Sequence, residues 1–445
     1  MSHAPKPLSS IQSGPLSGQV TVPGDKSISH RALLFGALSL GTTRITGLLE
    51  SEDVLNTAKV VSALGAPATR RDGVWQVQGR GLGGFRQPDM PLDFGNSGTG
   101  ARLAMGVIAG QAVSVEMIGD ESLSRRPMSR VLTPLKKMGL QVENKDRETL
   151  PLKLRGTVDL VPIEYELPVP SAQVKSAVLI AGLQATGITT VIETEPTRDH
   201  TERMLRFFGA EISTVAGTDG KARISVTGGQ QMQGRDVTVP ADPSSAAFLA
   251  AAAVLVPGSD VTIQGALIND TRTGFYKTLQ EMGADLTYAN RREEGGEQIA
   301  DIRVRHSALT GVRVPPERAP SMIDEYPILA VVAAFAEGET VMEGLAELKV
   351  KESDRLAATA AGLQVNGVAA RVEGDTLIVT GAGRVPGGGL VTTYLDHRIA
   401  MAFLVMGFAS EKPVTVDDTA MIATSFPEFI GLLEKLGARF VAIAE

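Results

Sequence analysis

Cysteine is absent from this 445-residue chain. Thiolate nucleophiles, Cys-ligated zinc, iron–sulfur clusters and a disulfide framework are thereby excluded. Histidine is scarce: His3, His30, His200, His306 and His397 show no metal-ligand spacing, and neither a metal nor another cofactor is expected. Positive charge is not in excess. A net charge of −7 argues against a nucleic-acid footprint while leaving room for a local basic cleft. The most lipid-like run, Ala246 to Val256, is about eleven residues and too short to span a bilayer, so a buried helix is expected there. Residues 1–18 are rich in Ser and Pro and lack the apolar centre of a secretory leader; a cytoplasmic location is expected. With 43% hydrophobic residues the chain can fill two substantial cores.

What the chain does have is one arrangement used repeatedly. Pro23-Gly24-Asp25-Lys26-Ser27-Ile28-Ser29-His30-Arg31 follows a strand-like Gln19 to Val22 and runs into the apolar stretch Ala32 to Leu40. Such a helix buries its body and exposes its start, where free N–H groups and the positive end of the macrodipole favour anions. A solvated N-cap would explain one such start better, taken alone. A nucleoside-triphosphate loop is disfavoured, because the upstream glycine spacing and an acidic strand end for magnesium are missing.

A polar opening, an Ala-rich apolar helix and a short strand recur at Lys26 to Gly41, Asn96 to Gly110, Ser171 to Gly187, Asp242 to Gly258, Asp324 to Gly338 and Asp396 to Glu411. Amphipathic helices ending at Gly65, Gly139, Gly209, Gly283, Gly367 and Gly437 keep the same period, each glycine suited to a left-handed C-cap. Two independent markers with one period of about 70 to 85 residues establish an internal repeat. Six buried helices exceed one core, since chains beyond roughly 250 to 300 residues usually split. The expected fold is α/β in two domains, 22–238 and 1–21 plus 239–445, each of three pseudo-symmetric β/α units with sheets outside and apolar helices inside. The chain then crosses between domains twice. The strand Gln19 to Pro23 resembles Val237 to Pro240 and Val312 to Pro315 but has no unit of its own, and is expected to complete the sixth. The polar helix starts would converge on the cleft between the domains.

Each start and matching loop has an ordinary reading as a capped or solvated turn. Asn96-Ser97-Gly98-Thr99-Gly100 combines a cap with two glycines that let a ligand approach the backbone. Arg125-Arg126 precedes a proline. Ser171-Ala172-Gln173-Val174-Lys175 offers hydroxyl, amide and ammonium groups together. In Arg198-Asp199-His200-Thr201-Glu202 the Asp, Thr and Glu read as capping residues, leaving Arg198 as the unusual member. Asp324-Glu325 places two carboxylates at the mouth of an apolar helix, which requires partners. Lys351-Glu352-Ser353-Asp354-Arg355 and Asp396-His397-Arg398 complete the set. Lys26, Arg31, Arg126, Arg198, Lys351, Arg355 and Arg398 stand against Asp324 and Glu352. Seven cations with two acids suit a substrate set with several negative charges, leaving Asp and Glu for proton transfer.

Gly24-Asp25-Lys26-Ser27, Ser171 to Lys175, Arg198 to Glu202 and Asn269-Asp270-Thr271-Arg272, with Lys351 to Arg355 and Asp396 to Arg398, closely resemble the motifs of the class II 5-enolpyruvylshikimate-3-phosphate synthases, over essentially the whole chain. The resemblance implies the enolpyruvyl transferase fold, an inverse α/β barrel in each domain with the active site in the cleft. It implies transfer of the enolpyruvyl group of phosphoenolpyruvate to the 5-hydroxyl of shikimate 3-phosphate with release of phosphate, a step of aromatic amino acid biosynthesis. No cofactor is implied, the state is a monomer, and glyphosate is the inhibitor.

By position, the resemblance assigns Ser27 and Arg31 to the shikimate carboxylate, and Ser171, Ala172 and Arg198 to the 3-phosphate. Gln173 lies beside the ring, and Asp324 and Lys351 meet the 4- and 5-hydroxyls. Arg355 and Arg398 grip the phosphoenolpyruvate carboxylate; Lys26, Arg126 and the Gly98 backbone surround its phosphate. Glu352 is the implied acid toward the methylene and Asp324 the base toward the hydroxyl, with Lys26 at the reacting phosphate. Lys351 and Arg355 would favour ionised Glu352, so its acid role needs a dry, closed cleft. One position departs from the family: many members carry Lys where Thr424 precedes Phe426-Pro427, which removes a candidate phosphate contact.

Two alternatives remain. UDP-N-acetylglucosamine enolpyruvyl transferase shares the architecture but usually uses a reactive cysteine. A non-enzymatic six-repeat DNA clamp would carry Lys and Arg along its helices rather than at their starts.

Overall fold

A computed structural model describes residues 5–144 and 147–442; His3 lies outside them. The chain forms two compact units, one of Gly24–Val239 with Glu294–Gly296, the other of Met1–Pro23, Pro240–Glu293 and Glu297–Glu445.

Six four-stranded sheets are present among the described residues, three in each unit. The third repeat shows the plan without interruption. Its lead strand Glu164–Glu166 pairs in parallel with Ile188–Glu193, which pairs antiparallel with Ala222–Thr227, which pairs antiparallel with Ile212–Ala216. The inner helix Ala172–Gln184 joins the two parallel strands, as a parallel pair requires. Helix His200–Phe207 leads into the hairpin.

The inner helices are Lys26–Leu38, Gly98–Ala109, Ala172–Gln184, Pro243–Leu255, Tyr326–Phe335 and His397–Gly407. They are apolar on nearly every side and buried along their bodies, the pattern of helices enclosed by other elements rather than lying on a surface. Gly106 lets the second and third approach closely: a Cβ there would stand 2.4 Å from the Ala177 carbonyl oxygen. Phe248, Tyr326 and Phe403 on the last three inner helices belong to the apolar core of their unit. The longest run, Pro243–Leu255, is a wholly buried helix, and among the described residues no helix is long and apolar enough to cross a membrane.

All six glycines expected to end the amphipathic helices have positive φ, from +81° at Gly367 to +121° at Gly139. The expectation for Gln19 to Pro23 is corrected. Its strand, Ser17–Val20, pairs with Asp260–Leu267 of the fourth repeat. Strand Leu8–Ile11 completes the sixth sheet, lying between Val414–Val416 and Arg439–Ala442. The lead strand before the fourth inner helix, Asp236–Thr238, pairs with Thr42–Thr46 of the first repeat. The two crossings thus exchange lead strands between repeats one and four, because each lead strand stays with the unit the chain is leaving. Gly24 stands at the first crossing, where a Cβ would meet the Gly47 carbonyl oxygen at 2.0 Å and a Val239 methyl at 2.9 Å.

Candidate active site

In the Gly24–Val239 unit, Asp25 caps the first inner helix by accepting from Ile28 N–H at 2.7 Å, leaving Lys26 on the first turn. Lys26 Nζ lies 2.9 Å from Asp53 Oδ2. Ser27 is half-buried, and its carbonyl accepts from Arg31 Nη1 at 2.9 Å. Arg31 is buried; its Nε donates to Thr201 Oγ1 at 2.7 Å and its Nη2 to Ser176 Oγ at 2.8 Å.

Ser97 caps the second inner helix, and Gly98 is its first residue. A side chain at 98 would crowd two arginines: a Cβ would come within 2.8 Å of Arg102 Nη1 and 3.2 Å of Arg126 Nη1. Arg126 is buried, with Nη2 donating to Asn96 Oδ1 at 2.7 Å and to Ser122 Oγ at 3.1 Å. Ser171 caps the third inner helix, followed by half-buried Ala172 and Gln173. Gln173 Nε2 donates to Thr99 Oγ1 at 3.0 Å while its Oε1 accepts from Arg102 Nη1 at 3.1 Å. Lys26, Ser27, Gly98 and Gln173 therefore sit on three consecutive inner-helix starts of one unit, and Arg126 is bonded to the second of these from a later part of the same repeat. Half-buried Arg198 precedes helix His200–Phe207.

Two readings of this unit are corrected. Lys175 does not face a ligand. It is buried and turned inward to Glu202 Oε1 at 2.7 Å and Glu193 Oε2 at 3.1 Å. Burial alone would lower its pKa, but the two carboxylates outweigh this and the net shift is upward. Burial also pushes the Glu193 carboxyl up. Nor do Thr201 and Glu202 merely cap their helix: Asp199 makes no side-chain cap bond, and Thr201 and Glu202 instead hold Arg31, Ser176 and Lys175.

In the other unit, Arg355 organises the side chains. It is buried, with Nε 2.8 Å from Asp396 Oδ2, Nη2 3.2 Å from Asp396 Oδ1, Nη1 3.3 Å from Asp324 Oδ1 and Nη2 2.5 Å from Glu352 Oε2. Burial alone would lower its pKa; Asp396, then Glu352 and Asp324, reverse this and drive it far upward. Lys351 Nζ lies 3.6 Å from the same Asp324 oxygen. Arg398 Nη1 donates to the Asp324 carbonyl at 3.3 Å and stands 4.0 Å from Glu325 Oε1, which also accepts from Ser244 Oγ. The partners that Asp324-Glu325 required are thus present.

The balance of seven cations to two acids is corrected as well. Asp53, Glu325 and Asp396 join Asp324 and Glu352 at these positions. Glu325 and Asp396 stand at inner-helix starts and read as caps, whereas Asp53 comes from the far half of its repeat. Lys26–Asp53, Asn96–Arg126, Asp242–Arg272 and Asp324–Arg355 are bonds between residues 27, 30, 30 and 31 apart. Each ties an inner-helix start to a later part of its own repeat.

The model of the family "EPSP synthase (3-phosphoshikimate 1-carboxyvinyltransferase)" matches residues 11–433. The chain belongs to the EPSP synthase family. It is 59% identical over 445 residues to a 3-phosphoshikimate 1-carboxyvinyltransferase of Parvibaculum lavamentivorans, covering 100% of this chain and 99% of that one. It is 61% identical to that of Afipia carboxidovorans, covering 99% and 100%. EPSP synthase from Acinetobacter baumannii superposes with a TM-score of 0.87 at 42% identity, covering 99% of this chain and 100% of that one.

Members of the EPSP synthase family are transferases of the shikimate pathway, and the two-domain, six-repeat fold expected from the sequence is theirs. The shikimate-type expectation therefore prevails over the UDP-N-acetylglucosamine transferase and the clamp. Thr424, the departure from the family pattern, is buried, and its hydroxyl donates to the Met421 carbonyl at 2.7 Å to close a short 3-10 turn. His30, Asp53, Thr57, Arg102 and Asp396 are the polar groups that sequence reasoning left without a role. The constant spacing from helix start to loop partner is the signal that could have found Asp53.

Proposed function

We propose that the chain transfers the enolpyruvyl group of phosphoenolpyruvate to the 5-hydroxyl of shikimate 3-phosphate and releases phosphate, each unit supplying one set of groups. Ser27 and Arg31 take the acceptor's carboxylate, Ser171, Ala172 and Arg198 its 3-phosphate, and Gln173 its ring. Lys26, Arg126 and the Gly98 backbone take the donor phosphate, and Arg355 and Arg398 the donor carboxylate. Glyphosate competes for the donor site. The enzyme acts as a monomer in the cytoplasm.

The observation that carries this reading is the sharing of Arg355 by Asp324 and Glu352 beside Lys351. The reaction needs one proton delivered to the donor methylene and one removed from the attacking hydroxyl. Glu352 delivers the first to C3, making C2 electrophilic. Asp324, with Lys351 beside it, receives the proton of the 5-hydroxyl as its oxygen bonds to C2. The tetrahedral adduct then expels phosphate, with Lys26 and Arg126 steadying the leaving anion; C3 returns a proton to the Glu352 carboxylate to restore the double bond, and Asp324 gives up its proton to the released phosphate. Mixing the protein with both substrates should release inorganic phosphate only when both are present. Absence of release, or release with UDP-N-acetylglucosamine as acceptor instead, would overturn the reading.

A further inference from the structure

His30 is fully buried and takes no part in this scheme. It lies one helical turn after Lys26, as Thr57 lies one turn after Asp53. Lys26–Asp53 at 2.9 Å and His30 Nδ1–Thr57 Oγ1 at 2.8 Å are therefore successive rungs between the first inner helix and helix Glu52–Ala63. The other ring nitrogen, Nε2, is 3.3 Å from Ser97 Oγ, the oxygen that caps the second inner helix by accepting from Gly100 N–H at 3.0 Å. There is no slack around this junction. A Cβ on Gly100 would lie 2.7 Å from Thr57 Oγ1, 2.8 Å from Ser97 Oγ and 3.3 Å from His30 Cε1.

Counting donors assigns the tautomer. The Thr57 hydroxyl donates to the Asp53 carbonyl at 3.4 Å, so toward His30 it accepts, and Nδ1 carries the proton. Nε2 is then an acceptor for the Ser97 hydroxyl, which leaves a Ser97 lone pair for Gly100 N–H. Each proton is used once. An imidazolium would aim a second N–H at Ser97, and the surroundings oppose it: burial first, then Lys26 and Arg31, against a smaller effect of Asp25, lower the His30 pKa to about 3.

We propose that His30 is a positioning residue for the phosphoenolpyruvate site: as its Nδ1–H tautomer it holds Ser97, and through it the Gly98 helix start, in register with the helix that begins at Lys26. The proposal rests on the assignment of Lys26, Gly98 and Arg126 to the donor phosphate.

His30→Asn and His30→Gln separate the two bonds. The Asn amide reaches the place of Nδ1 and serves Thr57 but not Ser97; the Gln amide oxygen reaches the place of Nε2 and accepts from Ser97. His30→Asn should raise the KM for phosphoenolpyruvate about five- to tenfold, and that for shikimate 3-phosphate less than about twofold. His30→Gln should recover most of the difference. Equal rises in both constants, or Gln no better than Asn, would overturn the proposal. Nitrogen-15 NMR of the unaltered enzyme tests it without any variant: a neutral Nδ1–H ring unchanged from about pH 5 to pH 9 is expected, whereas an Nε2–H ring or titration near 6.5 would sink it. Failure of the underlying assignment would show elsewhere, as a Gly98→Ala enzyme with unaltered phosphoenolpyruvate and glyphosate constants.

Discussion

Asp396 grips Arg355 through both carboxylate oxygens, at 2.8 Å from Nε and 3.2 Å from Nη2. The same Asp396 caps the sixth inner helix by accepting from Arg398 N–H at 2.9 Å, so one carboxylate sets both arginines assigned to the donor carboxylate. Asn caps a helix about as well as Asp. Asp396→Asn should therefore spare the fold while loosening Arg355, raising the KM for phosphoenolpyruvate by about tenfold or more, the scale of a lost charge-assisted bond. Steady-state kinetics with the donor varied checks this; an unchanged KM would refute it.

At Gly98 a methyl group has two guanidinium nitrogens in its way, and overpacking of this kind is relieved by small shifts of the long side chains. Gly98→Ala should weaken glyphosate inhibition by about tenfold or more while raising the phosphoenolpyruvate KM less than about threefold, a difference of roughly 1 kcal/mol or so between the two ligands. Inhibition constants measured beside KM decide it. Equal losses in both would count against the assignment.

Lys175 compensates two buried carboxylates. Lys175→Met should destabilise the protein by about 3–5 kcal/mol near neutral pH, the range for breaking a buried pair by removing one partner. The sign of the pH dependence follows from the raised Glu193 pKa. A carboxyl whose folded-state pKa is raised contributes stability below its unfolded value and loses it as pH rises through the folded value. Removing the ammonium raises that pKa further, so the deficit of the variant should shrink toward pH 4 to 5 and grow toward neutrality. Thermal unfolding of both proteins across about pH 4.5 to 8 measures the gap; a pH-independent deficit would contradict the argument.

Glu352→Gln and Asp324→Asn keep shape and remove proton transfer. Each should lower kcat by about 10²- to 10⁴-fold with KM values within about a factor of ten, as expected for loss of a general acid or base. If Glu352 serves the methylene, solvent deuterium should enter the product's vinyl group in the unaltered enzyme and fail to enter in Glu352→Gln. Undiminished incorporation would reassign the acid.

The repeat, the inner helices and their glycine-ended partners were legible because they follow from local rules: an all-apolar helix has to be enclosed, and a left-handed cap has to be glycine. The lead-strand exchange was not. Ser17–Val20 and Asp236–Thr238 read alike, and nothing within four or three residues says which sheet edge will accept them. Among the site residues, cations at helix starts stood out against apolar surroundings, whereas Asp53 and Asp396 looked like ordinary caps or first-turn acids. Their importance lies in partners 27 and 41 residues away. Lys175 misled for the opposite reason. A lysine at a helix start is expected outward, and only Glu193 and Glu202, brought in from the following strand and helix, draw it inside.

The exchange of lead strands has a consequence for synthesis on the ribosome. The first repeat lacks an edge until Asp236–Thr238 has been translated, and Ser17–Val20 must wait for Asp260–Leu267 before it finds a neighbour. Strand Leu8–Ile11 waits longest, since both its neighbours lie beyond residue 413. The Gly24–Val239 unit holds all the strands of its three sheets in one stretch, whereas the other unit is assembled from pieces on both sides of it, and strand Leu8–Ile11 is among the last to settle.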